Sequence, residues 1–129
     1  MRGKQFTVLV LTLALLLLAG GSAQAGQPHP ERYYQEQWCT AQGGQMEVVL
    51  PDGTRCDCLT KTHAVEVDFA RKWAEAVGQA LNYARQSGRA PGVLLILERP
   101  EDARAAERLR TISLFYGLGL TVWTMPAGE

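Results

Sequence analysis

The chain has 129 residues, 47% hydrophobic and 20% charged, with 13 basic against 13 acidic side chains. That length allows one domain. The apolar content excludes a disordered chain, and a formal charge of zero excludes a polycationic nucleic-acid coat. Arg2 and Lys4 precede a hydrophobic run at residues 6–19, and small residues follow, ending in Ala23-Gln24-Ala25. A basic start, a hydrophobic segment and an A-x-A site form a secretory signal, residues 1–25, with cleavage expected after Ala25. A membrane-spanning helix needs about 20 apolar residues. The run is shorter, so no stable membrane insertion is expected once the signal is removed, and no Cys follows to carry a lipid anchor. The expected location is periplasmic or secreted. Cleavage removes Arg2 and Lys4, which leaves residues 26–129 faintly acidic, with a net charge of −2.

Residues 26–30 read as a Pro-punctuated, flexible lead-in, and residues 31–129 as a single domain. A short helix is expected over Glu31–Ala41, with Tyr34 and Trp38 spaced i, i+4 on one side, stopped by Gly43-Gly44. A strand at 46–50 and a partner at Arg55–Leu59 flank the turn Pro51-Asp52-Gly53-Thr54, forming a hairpin. A third strand at 64–68 alternates: Ala64, Glu66 and Asp68 face one way, Val65 and Val67 the other. Helical spacing of Trp73, Val77, Ala80, Leu81 and Ala84 marks a helix over 69–86, ended by Ser87-Gly88. The aliphatic run 93–97 reads as a buried central strand. A helix at 101–116, introduced by Pro100, and a last strand at 118–125 complete the order α-β-β-β-α-β-α-β. A helical crossover joins the third and fourth strands, as a parallel pair requires. The expected fold is therefore α/β (α+β), a mixed central sheet with helices on both faces.

A domain of this size buries only a modest core, and an oxidising compartment permits a covalent tie. Cys39, Cys56 and Cys58 allow one bridge with one thiol left over. Cys56 and Cys58 sit two apart on one strand face, where a bridge between them is strained. Cys39 is therefore expected to pair with Cys56 or Cys58. A zinc site with His63 is the alternative, although its spacing matches no familiar ligand pattern.

Three acids lie close on adjacent strands. Glu66 and Asp68 share a face of the third, and Asp57 is central in the second. Clustered carboxylates repel unless something positive joins them, which is why such groups hold hard divalent cations. The competing reading is a solvated strand face, where charged residues alternate with apolar ones for solubility alone. Trp38, Trp73 and Trp123 are expected in the core, and His63 in a loop or packing role. Arg104 and Arg108, i, i+4 among Glu101 and Glu107, read as a mixed solvated helix face. Asp52 reads as turn chemistry.

The element order, with Asp57 in the second strand and Glu66-Val67-Asp68 in the third, resembles the PD-(D/E)XK nuclease-like superfamily. Its restriction-endonuclease-like core is α-β-β-β-α-β and covers almost all of residues 31–129. Gln79-Ala80-Leu81-Asn82-Tyr83 is similar to the Q-x-x-x-Y motif of exonuclease domains in that superfamily. The resemblance implies Mg²⁺ or Mn²⁺ held by Asp57 and Glu66, with Asp68 assisting and Gln79 and Tyr83 in the helix motif. It also implies nucleic acid as substrate and phosphodiester hydrolysis as the reaction. Glu36, on the first helix, resembles the extra acid that some members use. The sequence departs from the motif at Asp68, where the family carries Lys, and a carboxylate supplies no positive charge. Some members relocate that Lys to the neighbouring helix, and Lys72 stands in its first turn, seven residues before Gln79 and on the same helix face. Two outcomes stand open: a migrated-lysine enzyme, or a catalytically inactive periplasmic binding or structural module of the same fold. A disulfide-tied partner of another exported protein is a third, for which the leftover Cys is the hint. Nothing in the sequence gives the oligomeric state.

Overall fold

The computed structural model describes residues 29–128. The expected signal at 1–25 lies outside the described residues, as do 26–28 of the lead-in. The elements follow the expected order: α1 (Glu31–Ala41), β1 (Gln45–Val49), β2 (Arg55–Leu59), β3 (His63–Phe69), α2 (Trp73–Ser87), β4 (Ala90–Leu97), α3 (Ala103–Tyr116) and β5 (Thr121–Pro126). The strands form one mixed sheet in the order β1-β2-β3-β4-β5. β1, β2 and β3 pair antiparallel, while β4 runs parallel to both β3 and β5. Helical crossovers through α2 and α3 impose that parallel arrangement.

Three elements start three or more residues away from the sequence reading, each for a physical reason, and the others shift by one or two. The helix expected to begin at 69 begins at Trp73, after a 3-10 turn at Ala70–Lys72. Phe69 is kept in β3 by its pairing opposite Ile96, and its ring packs edge-on to Tyr34. β4 starts at Ala90 rather than 93, and takes in Pro91. β5 pairs with β4 only from Gly92 onward, so the missing Pro91 N–H falls where β4 is still an edge strand. The last strand starts at Thr121 because Gly119 takes a left-handed backbone (φ 62°) that no extended strand accommodates.

The helices cover both faces. On one, Ala76, Ala80, Ala106 and Leu109 of α2 and α3 close over Val93, Leu95 and Val122. On the other, Tyr34 and Cys39 of α1 pack on Val65, Val67, Leu94 and Ile96. Trp123 lies across β4 on this second face, and Gly92 makes room for it: a Cβ there would stand 2.7 Å from the indole. Trp38 and Trp123 pack together and Trp73 joins the α2–α3 core, as expected of all three. His63 lies between the hydroxyls of Thr62 and Thr121, edge-on to Trp123, which is a packing role.

Cys39 is bonded to Cys58, with their Cα atoms 5.7 Å apart. Cys56 is free and buried, and burial pushes its thiol up to about 11. The expectation that Cys56 and Cys58 share a face does not hold: Cys56 packs with Leu50, Ala64 and Tyr83, away from the Cys58 cluster. The β2–β3 pairing ends at Cys58 opposite Val65, and the β1–β2 pairing, present at Cys58 and again at Cys56, skips Asp57 between them, opposite the left-handed Glu47. Among the described residues no helix is long and apolar enough to cross a membrane.

Candidate functional site

The end of the β2–β3 ladder creates the site. Beyond the Cys58–Val65 pair, Val67 donates its N–H to Asp57 Oδ2 at 2.7 Å, so a side chain stands where a strand carbonyl would. A cleft of about 590 Å³ opens here, beneath α2. Asp57, Glu66, Asp68, Lys72, Gln79 and Tyr83 all line it, so the six residues singled out in the sequence meet in one place. Glu36 does not join them: it is exposed on α1, and the first-helix acid that lines the cleft is Glu31, more than a turn earlier.

The carboxyls meet in two pairs. Asp57 and Glu66 are neighbours in the cleft and perturb each other, as are Glu31 and Asp68. Burial, reinforced by the Asp57 carboxylate, pushes Glu66 up to about 9. Burial likewise moves Asp57 to about 6 against the opposing pull of the Val67 N–H. Glu31 rises to about 7, through burial and then the neighbouring Asp68. Two carboxyls this close share a proton or a cation rather than ionising together. Glu66 is only 5% exposed, and its Oε2 finds no hydrogen-bond partner among the described residues. A buried acceptor left unmatched costs free energy, so this atom is the one a bound group would satisfy.

The cations of the cleft are fewer. Lys72 Nζ stands 3.9 Å from Asp68 Oδ1 and remains about half exposed, and Arg55 lines the cleft from the start of β2. On α2 the Tyr83 hydroxyl donates to Gln79 Oε1 at 3.2 Å, so the two ends of the Q-x-x-x-Y segment are joined across one turn. Burial, then the Glu66 charge, hold the Tyr83 phenol well above its usual range. Asp52 behaves as turn chemistry: it is exposed, accepts from Thr54 and Asn82, and these bonds lower it to about 2.

Other residues of the site were not legible as such in the sequence. Gln35, buried on α1, donates from Nε2 to both Glu47 Oε1 and the Asp57 carbonyl, each at 2.8 Å. Glu47 is the non-glycine residue with a left-handed backbone among those described (φ 56°), a conformation that costs about 1–3 kcal/mol and recurs at functional sites. The available signal was the spacing Glu31, Tyr34, Gln35, which places them on one side of α1.

Among the described residues no group of three or more His, Cys, Asp or Glu side chains is arranged to hold a metal ion as it stands. The donor chemistry nevertheless suits a hard divalent cation: every acidic donor is oxygen, and Glu66 Oε2 is free to ligate. No family model matches the chain, and neither a curated protein nor a solved structure is significantly similar to it.

Proposed function

We propose that the chain is an exported, metal-dependent phosphodiester hydrolase of the PD-(D/E)XK nuclease-like kind. The observation that carries this reading is the meeting of Asp57, Glu66 and Asp68 with Lys72 in one cleft, beside the bonded Gln79–Tyr83 pair. The order α-β-β-β-α-β through β4, which is that of the restriction-endonuclease-like core, supports it further. Asp57 and Glu66 would hold Mg²⁺ or Mn²⁺, with Asp68 assisting. Such a cation, when bound, lowers the pKa of water and neutralises charge on a phosphoryl oxygen. Lys72, close to Asp68 and half exposed, offers the positive charge that Asp68 cannot. Gln79, held by Tyr83, presents its amide to water or phosphate. The carboxyls outnumber Lys72 and Arg55 in the cleft, so nucleic acid, a polyanion, binds only with the cation in place. The Cys39–Cys58 bridge is compatible with an exported, periplasmic or secreted protein.

A direct assay decides it. Chain purified after export is incubated with single-stranded DNA, double-stranded DNA and RNA in Mg²⁺ or Mn²⁺. The expected result is cleavage that a chelator stops and that Asp57→Ala or Glu66→Ala reduces by about a hundredfold. No cleavage of any substrate, or cleavage indifferent to both substitutions, overturns the reading. One observation favours a second reading, a catalytically inactive cation-binding module of the same fold: a carboxylate, Asp68, stands in the Lys position. Cation binding without cleavage distinguishes it.

A further inference from the structure

The wall of the cleft formed by α1 is fastened covalently. Three residues at successive turns of that helix point to one task. Glu31 lines the cleft together with Asp68. Gln35, 3% exposed, clamps the Asp57 carbonyl and Glu47. Cys39 is bonded to Cys58, the residue that follows Asp57 in the chain. Gly44, just beyond the helix, is packed against both sulfurs so closely that a Cβ would stand 2.5 Å from one and 2.8 Å from the other. The bridge is therefore seated, with backbone fitted around it, directly behind the strand that carries a cleft acid. Glu66, buried with an unmatched Oε2, lines the same cleft as Glu31, Asp57 and Asp68.

We infer that the Cys39–Cys58 disulfide assembles the acid cleft, holding Glu31 beside Asp68 and Gln35 against the Asp57 backbone, so that divalent-cation affinity belongs to the oxidised chain and is lost on reduction. The inference rests on the reading of the cleft as a cation site. Reduction takes two electrons and two protons from a dithiol, which is itself oxidised to a disulfide, and leaves two thiols at Cys39 and Cys58. With the bond open, α1 is tied to β2 only by the amide clamp and its apolar packing, next to the Gly43-Gly44 pair. In a thiol-reducing compartment the chain then carries an incomplete site, completed where disulfides persist.

The test is Mn²⁺ binding, followed by calorimetry, to the oxidised full chain and to the Cys39→Ser, Cys58→Ser double variant. The expected result is binding by the oxidised chain and at least about tenfold weaker binding by a double variant that still unfolds cooperatively. Equal affinity in the two overturns this inference and leaves the cation site standing. Failure of the oxidised chain to bind Mn²⁺ overturns the cation reading itself. Should the double variant not fold, Gln35→Ala and Glu31→Gln read the same contacts with the bridge intact. Each is expected to weaken Mn²⁺ binding about tenfold, and unchanged affinity in both overturns the inference.

Discussion

The two faces of β3 are buried to nearly the same degree and chemically opposed. Val65 and Val67 are fully covered by α1, and Glu66 and Asp68, turned toward the cleft, are 5% and 4% exposed. On the valine side, each covered aliphatic side chain contributes about 1.5–3 kcal/mol. On the acid side, burial works against the charged form, and Glu66 answers by holding its proton to about pH 9. A face that served only stability would be better filled by aliphatic residues. Here the strand gains its stability on one side and gives part of it up on the other, which is the pattern expected where a site is built into a small core.

The valine face should be the more sensitive to truncation. Leu94, fully buried among Val65, Val67 and Tyr34, is expected to cost about 2–5 kcal/mol when changed to Ala. Denaturant unfolding measures this, and a loss under 1 kcal/mol would mean that this face is not the stabilising one.

The acid face should respond in the opposite direction. The unfolded chain releases the Glu66 proton near pH 4.5, whereas the folded chain keeps it to about 9. Between those values the folded state binds the extra proton, so stability is full below about 4.5 and declines as pH rises through 9. Asp57 and Glu31, raised to about 6 and 7, add to the decline in the same direction. Glu66→Gln removes the largest part of it. The variant is expected to melt roughly 5 °C higher than wild type at pH 8 without divalent cation, and little differently at pH 4.5. Melting curves at the two pH values check this, and a lower Tm for the variant at pH 8 would contradict it.

Much of this contrast was legible in the sequence. Strict alternation from Ala64 to Asp68 already assigned acids to one face and valines to the other, and the period change after it announced α2. The mixed sheet with helices on both faces followed from the crossover lengths. What the sequence did not carry was the end of a ladder. Where β2 leaves β3 depends on Asp57 capping the Val67 N–H, a contact between residues ten apart that no period encodes. Cys56 also lies off the expected face, and the choice between Cys56 and Cys58 as partner of Cys39 is made by the tertiary fold. Glu36 and Glu31 present the same difficulty on α1. Both are acids on a short helix, and the spacing of Glu31 with the buried Tyr34 and Gln35 is a weak signal beside the exposed Glu36.

The most direct measurement is a Mn²⁺ titration of the oxidised chain, wild type against Glu66→Gln, at pH 6 and pH 8. Ligating carboxyls must lose their protons, so wild-type affinity is predicted to rise between the two values. Glu66→Gln is predicted to weaken it at least about tenfold, while Glu36→Gln, remote from the cleft, leaves it unchanged. Absence of binding, or a Glu66→Gln chain that binds Mn²⁺ as wild type does, would contradict a cation site on the acid face of β3.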